Sequence, residues 1–102
     1  MIETTKNEKE SDENTIFIGN KPFMNYITGV MMQFNEKNSS EVIVKARGKF
    51  ISKAVDVAEV SRKRFLKELN IHVKEIKIDS EEFNNDEGRK INVSTIEITL
   101  AK

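Results

Sequence analysis

Residues 41–56, EVIVKARGKFISKAVD, decide the fold, because a strand pattern ends there in a basic turn and a helical pattern follows. EVIVKA at 41–46 predicts a β-strand, and Arg47-Gly48-Lys49 predicts the turn that ends it. From Phe50 to Leu66 the apolar residues return at helical intervals, which predicts an amphipathic helix. The segment therefore predicts a strand, a basic loop and a helix in direct succession.

The same succession precedes this segment. Thr15–Ile18 is a short β-branched and aromatic run that predicts a strand, and Gly-Asn-Lys-Pro at 19–22 predicts the loop after it. Pro22 suits the first turn of a helix, where its missing N–H costs nothing. The apolar residues from Phe23 to Asn35 follow the helical pattern in a broad stripe, so we expect this helix to be covered on two sides.

The last third of the chain alternates with the period of a strand. The alternating residues are Ile71, Val73, Ile76 and Ile78 on the way out and Val93, either Thr95 or Ile96, Ile98 and Leu100 on the return. Between them, the Asn, Asp and Gly residues at 84–88 are typical of a hairpin turn. The complete order, β-α-β-α-β-β, predicts an α+β two-layer sandwich. Two helices would cover one face of a four-stranded mixed sheet with a long C-terminal β-hairpin arm.

Composition limits the class of protein. With 102 residues, 37% apolar and 33% charged, the chain suits one soluble domain with a modest core. The absence of Cys excludes disulfides, thiolate metal sites and a cysteine nucleophile. The sequence shows neither the apolar run of a signal peptide nor that of a membrane span, so we expect a cytoplasmic protein without membrane contact.

The formal net charge is zero, but the charges are segregated. Residues 1–14 hold five acidic and two basic side chains without periodicity, which predicts a disordered acidic tail, with the folded domain at 15–102. Residues 45–67 hold eight basic side chains against two acidic ones. A positive region of this kind favours an anionic partner.

Catalysis has no candidate residues. The single histidine, His72, falls in an alternating run and is predicted on an exposed strand face, and no Cys or second His completes a metal site. Neither GxxxxGKS, GxxxxGKT nor GxGxxG occurs. We therefore expect no enzymatic activity, no cofactor, no metal and no small-molecule substrate.

The basic loop is the best candidate for a binding site. In a strand, Lys45, Arg47 and Lys49 would project to one face, and Lys53 follows in the helix. Gly48 permits a close approach of the backbone to a phosphate. N–H groups at the start of the helix also favour an anion. A solvated charge run explains the same residues, and the pattern alone does not decide between the two.

The position of the loop at 19–22 helps to decide between a binding site and a solvated charge run. If the first two strands are parallel neighbours, both strand-to-helix loops open at the same edge of the sheet, where ligands usually bind in such folds. Lys21 would then lie beside Arg47.

Several ordered motifs resemble the Alba family of archaeal chromatin proteins. They are GNKPFMNY at 19–26, IVKARGKFISKAVD at 43–56, RKRFL at 62–66, EGRK at 87–90 and VSTIEI at 93–98, and the likeness covers residues 15–101. The resemblance implies the fold of the C-terminal domain of translation initiation factor three and a non-enzymatic homodimer. It also implies a chromosome- or nucleoid-associated protein that binds double-stranded DNA, and often RNA, with little sequence preference.

The resemblance also assigns roles to residues. Those implied or expected to contact nucleic acid are Lys21, Lys45, Arg47, Lys49 and Lys53 on the body, Arg89 and Lys90 on the arm, and Tyr26 for RNA. Lys21 is a possible acetylation site. Phe65 either joins one dimer to the next along DNA or is ordinary core at helical spacing.

Two departures from the family pattern stand out. Asn20 precedes Lys21 where the family commonly has a lysine pair, and the arm is acidic at Glu81, Glu82, Asp86 and Glu87. We therefore expect weaker binding than is usual for the family. An RNA-centred role, as an RNA chaperone or a ribonucleoprotein subunit, is the alternative. An assembly module without a nucleic-acid partner is a third possibility.

Overall fold

A computed structural model of the chain describes residues 13–102. The elements are β1 (Thr15–Phe17), α1 (Phe23–Asn35), β2 (Glu41–Arg47), α2 (Ile51–Val60), β3 (His72–Asn84) and β4 (Lys90–Ala101). The predicted α+β order and the four-stranded mixed sheet are confirmed. Neither helix of this described region is long and apolar enough to cross a membrane.

Most of the predicted tail, residues 1–12, lies outside the described residues. Its last two residues are bonded to the fold. The Glu13 carbonyl accepts a hydrogen bond from Gln33 Nε2 at 2.6 Å, and the Asn14 carbonyl accepts one from the Ile43 N–H at 2.9 Å. The Asn14 bond continues the pairing of β1 with β2, and the Glu13 bond ties the same segment to the first helix.

The sheet has the strand order β1-β2-β4-β3. β1 and β2 are parallel, with Phe17 beside Lys45, whereas β2 and β3 both pair antiparallel with β4. Since β1 and β2 are parallel neighbours, the loops that leave them open at one edge of the sheet. The sequence left open whether the first two strands are parallel neighbours, and the structure shows that they are.

The core lies between the sheet and the two helices. It contains Val42, Val44 and Ala46 of β2, Ile27, Val30 and Phe34 of α1, Ala54, Val57 and Ala58 of α2, and Ile96, Ile98 and Leu100 of β4. Each large aliphatic side chain buried in this way stabilises the fold by about 1.5–3 kcal/mol. The other face of the sheet carries Phe17 and Arg47, both exposed, and we call it the open face.

The hairpin arm contains a β-bulge. Val73 pairs with Leu100 and Glu75 pairs with Thr99, so Lys74 is an extra residue on β3. The bulge shifts the alternation by one residue. It explains why Val73 and Ile76, an odd number of positions apart, lie on the same side of the hairpin.

The second helix is divided into three parts. A 3₁₀ turn (Gly48–Phe50) leads into α2, and a wider helical turn, Ser61–Phe65, follows it. In that turn the Leu66 N–H donates to the Ser61 carbonyl at 2.8 Å, an i to i+5 bond that holds one more residue than an α-helical turn. As a result Leu66 is buried, whereas Phe65 is 40% exposed.

Candidate nucleic-acid interface

The basic loop begins where β2 ends. Lys45 and Arg47 project from the open face, as the alternation predicted. Gly48 has φ +60°, in the left-handed region that favours glycine, and this conformation turns the chain from β2 into the 3₁₀ turn. Lys49 therefore lies in a turn rather than in the strand, with its ammonium 5.4 Å from the centre of the Phe50 ring.

Tyr26 and Lys53 hold the backbone of the loop at 19–22 by hydrogen bonds. The Tyr26 hydroxyl accepts hydrogen bonds from the N–H groups of Gly19 at 2.9 Å and Lys21 at 3.0 Å. The Lys53 ammonium donates to the carbonyls of the same two residues, at 2.6 Å and 2.7 Å, and lies 5.0 Å from the centre of the Tyr26 ring. The backbone of the loop is therefore fixed, and the Lys21 side chain is exposed on it.

The sequence did not predict these contacts. From the sequence, Tyr26 and Lys53 were expected to contact nucleic acid directly. Tyr26 is only 7% exposed and its hydroxyl is already occupied, so its geometry favours support of the loop over contact with RNA. Lys53 has one donor proton left after its two carbonyl bonds. Lys21 and Arg47 follow β1 and β2 at the same edge of the sheet, and both side chains are exposed.

Acidic side chains partly neutralise the open face. Arg47 Nη1 lies 2.9 Å from Glu81 Oε1 of the arm, and Lys45 Nζ lies 3.4 Å from Glu97 Oε2 of β4. The Arg47–Glu81 pair is well exposed and the Lys45–Glu97 pair is partly exposed, and pairs at the surface contribute about 0–1 kcal/mol. The acidic arm noted in the sequence thus touches the basic loop directly, which only the register of the sheet reveals.

A cleft of about 520 Å³ lies on the open face between the basic loop and the arm. It is lined by Phe17, Ile18, Lys45, Ala46, Arg47, Gly48, Lys49, Phe50, Glu81, Val93 and Thr95. Its lining combines two aromatic rings with three cations and one carboxylate. Lys45 Nζ lies 5.8 Å from the centre of the Phe17 ring. The arrangement suits an anion that also has a flat apolar part.

The predicted arm contacts lie at the hairpin turn. The Arg89 side chain is 81% exposed, and its Nε is 3.9 Å from Glu87 Oε1. Its backbone N–H donates to Asn85 Oδ1 at 2.9 Å, and Lys90 starts β4 opposite Asn84. The backbone of the turn is therefore bonded, while the Arg89 side chain is open to solvent.

Comparison with known proteins decides the family, since the Alba family model matches residues 14–80. The chain belongs to the Alba family. It is 52% identical over 90 residues to the DNA/RNA-binding protein Alba of Methanococcus maripaludis, covering 88% of this chain and 99% of that protein. It is 54% identical over 90 residues to the DNA/RNA-binding protein Alba 1 of Archaeoglobus fulgidus, covering 88% and 97%. The structure of Alba from Thermoplasma volcanium matches with a TM-score of 0.79 at 49% identity, covering 87% of this chain and 100% of that one.

The resemblance drawn from the motifs is therefore confirmed. The residues that match the family model include the loop at 19–22 and the basic loop, whereas Glu81 and the hairpin turn with Arg89 lie beyond residue 80.

Two further surfaces of this Alba protein are exposed and apolar. Phe65 is exposed at the end of the wide helical turn, so the core alternative for this residue is wrong. On the helix side of the arm, Ile76 and Ile78 are exposed, with Ile78 at 78%, and Val55 of α2 is exposed as well. We call Ile76 and Ile78 the isoleucine patch.

His72 is exposed on β3, as predicted. In the described part of the chain, no group of three or more His, Asp or Glu side chains is placed to hold a metal ion.

Proposed function

We propose that this Alba protein is a non-enzymatic, chromosome-associated protein that binds double-stranded DNA, and also RNA, with little sequence preference. The observation that carries the proposal is the shared edge of β1 and β2, where exposed cations project from both loops and side-chain hydrogen bonds hold the backbone of the loop at 19–22. The names of the relatives from Methanococcus and Archaeoglobus, which describe DNA- and RNA-binding proteins, support it.

The cations have different roles in this proposal. Lys21, Arg47 and Lys49 contact phosphates, because all three are exposed at the same edge. Lys45 contributes less, since Glu97 partly neutralises it. Lys53 and Tyr26 position the loop that carries Lys21. Such phosphate contacts orient the protein on a duplex but carry no sequence information.

The arm supplies a second set of contacts. Arg89 and Lys90 lie at its turn, where exposed side chains can enter a groove of the duplex. The neighbouring Asp86 and Glu87 oppose the phosphates, so the arm contributes less binding free energy than a neutral or basic arm. Together with Asn20 in place of a second lysine, this is the reason for expecting weaker binding than is usual in the family.

A homodimer completes the interface. The isoleucine patch leaves large aliphatic side chains in solvent, and a second copy that covers it would bury them. The dimer doubles the loops and arms that reach the nucleic acid. Phe65, exposed among Arg62, Lys63 and Arg64, is the proposed contact between dimers on DNA.

Lys21 is the proposed acetylation site. Its side chain is exposed on the fixed loop, and acetylation would remove the charge that contacts phosphate.

Arg47→Ala tests the proposal. We expect the variant to bind several unrelated duplexes more weakly by a similar factor, of about 3- to 30-fold, measured by fluorescence anisotropy at one salt concentration. Arg64→Ala, which removes an exposed arginine outside the loop edge, is the matched control on a duplex short enough for one dimer. Binding of Arg47→Ala equal to that of the wild type would show that the site is wrong.

Salt dependence tests the same contacts independently. If a dimer neutralises about six phosphates, the logarithm of the affinity falls with the logarithm of the salt concentration at a slope of about −5. A slope near zero contradicts binding through phosphates.

RNA is the second candidate as the main partner. The zero net charge favours it over long DNA, and the aromatic cleft offers a surface that duplex DNA does not need. Comparison of the affinities for duplex DNA and structured RNA at one salt concentration separates the two. Binding to neither at low salt would favour an assembly module without a nucleic-acid partner.

A further inference from the structure

We infer that the cleft on the open face binds one unpaired nucleotide, with its base stacked on Phe17 and its phosphate held by Arg47, Lys45 and Lys49. This inference rests on the proposed function and adds to it a separate subsite with its own ligand class. The ligand is a single-stranded segment, loop or bulge of RNA or DNA.

Phe17 is the starting point because it faces away from the core. Its neighbours Ile16 and Ile18 pack against the core, while Phe17 itself is 56% exposed on the open face. An aromatic ring on a sheet face, with cations beside it, is a common platform on which proteins stack unpaired bases. Lys45 lies beside this ring, and its pairing with Glu97 holds it on the same face.

The cleft offers both kinds of surface that a nucleotide has. Phe17, Phe50 and Val93 supply the apolar surface. Cations line the same cleft, with Lys45 near the Phe17 ring and Lys49 near the Phe50 ring, and Gly48 adds a stretch of backbone without a side chain. The volume of about 520 Å³ is within the range of about 300–1,000 Å³ typical of small-ligand sites.

A duplex cannot use this subsite without being opened. In a duplex both faces of each base are stacked, and moving a base out of the stack costs free energy that an unpaired base does not pay. The ring of Phe17 therefore adds affinity for unpaired nucleotides and adds little for duplexes. The two kinds of nucleic acid share Arg47 but not Phe17.

Glu81 is the group in the cleft that competes with a phosphate for Arg47. Its carboxylate occupies Arg47 at 2.9 Å, so an incoming phosphate must take its place. The pair is exposed and therefore weak, and the cleft still contains more cations than carboxylates. Glu81 thus lowers the affinity of the subsite without closing it.

The test compares Phe17→Leu and Phe17→Tyr in the full chain. Leu keeps the apolar bulk but removes the aromatic face, whereas Tyr keeps that face. Each variant and the wild type are titrated with a single-stranded RNA of about ten nucleotides and with duplex DNA at one salt concentration. Met32→Ala, a change at an exposed apolar residue of α1, is the control, and circular dichroism checks the fold of every variant.

We expect Phe17→Leu to weaken single-strand binding about tenfold and duplex binding less than about twofold, and Phe17→Tyr to bind like the wild type. A fluorescent purine analogue in the RNA should lose emission on binding to the wild type, through stacking, and lose much less on binding to Phe17→Leu. Unchanged single-strand affinity in Phe17→Leu, or an equal loss for both nucleic acids, overturns the subsite. If the wild type binds neither nucleic acid, the proposed function fails as well, and the two failures are thereby distinguished.

Discussion

The loop at 19–22 and the hairpin arm both carry exposed charged side chains, but they are held in different ways. Four hydrogen bonds hold the backbone of the loop, two that the Tyr26 hydroxyl accepts and two that the Lys53 ammonium donates. In the arm, all the side chains of β3 from Glu75 to Asn84 are exposed, so its backbone pairing with β4 must hold the strand. A segment with few buried contacts opens more easily than one tied to the core.

This difference separates two tasks. The loop offers one cation, Lys21, on a backbone that is already held, so little backbone entropy is lost when a phosphate binds there. The arm has few buried side chains, and it carries both an exposed apolar side and the carboxylate that occupies Arg47. We therefore expect the loop edge to set the affinity, and the arm to control assembly and to adjust the affinity.

Ile78→Asp should produce the largest effect, because it disrupts the proposed dimer contact on the arm. A carboxylate in the isoleucine patch would be buried in the proposed dimer, at a cost the dimer cannot offset. We expect a monomer by light scattering at concentrations where the wild type is dimeric. We also expect nucleic-acid affinity to fall about a hundredfold, because two linked sites become one.

Phe83→Asp is the control for this change, since Phe83 is also exposed on the arm but pairs with Ile91 on the other side of the hairpin. The isoleucine patch is not the dimer interface if Ile78→Asp remains dimeric.

Tyr26→Phe should produce the next largest effect, by loosening the loop. The change keeps the ring but leaves the N–H groups of Gly19 and Lys21 without their acceptor, at a cost of about 1 kcal/mol each. We expect faster hydrogen exchange at these two amides, a lower midpoint of thermal unfolding and duplex affinity lower by about 5- to 10-fold. Unchanged exchange at both amides would show that the hydroxyl does not hold the loop.

Lys53→Met provides a comparison, because it removes the bonds to the two carbonyls while the apolar stem remains. A carbonyl that loses one partner still has a second lone pair and access to water, so the loss should be smaller than in Tyr26→Phe.

The elements of the fold were predictable because their patterns are local. The alternation of β2 and the helical spacing of α1 follow directly from which side chains are buried, and both appear in the structure at the predicted places. The apolar side of β3 was also correct, although its odd spacing between Val73 and Ile76 depends on a bulge that the sequence does not show. On β4 the prediction was wrong for Val93, which pairs with Glu81 and lies on the open face, opposite to Ile96 and Ile98.

The partners of the site residues were not predictable, because they depend on how distant segments come together. Arg47 and Glu81 are 34 positions apart, and only the register of two successive strand pairs brings them into contact. In the same way, the short stretch around Tyr26 does not reveal that its hydroxyl points back to Gly19. The sequence identified which residues are charged but not which charges are already paired.

Glu81→Gln should produce the smallest effect, a gain in affinity of up to about fivefold, by removing the contact between arm and loop. The side chain keeps its size, and Arg47 is released for phosphate. Any removed negative charge also raises affinity through long-range electrostatics, so the control must carry the same change in charge. Glu82→Gln does so, because Glu82 pairs with Asn92 and its side chain projects from the opposite side of β3.

The excess gain of Glu81→Gln over Glu82→Gln reports the ion pair itself. In an Arg47→Ala background this excess should disappear, since the carboxylate then has no arginine to occupy. Equal gains in the two single variants would show that the arm acts only through its total charge. An excess that persists without Arg47 would place the effect of Glu81 on another cation of the cleft, Lys45 or Lys49, rather than on the contact seen here.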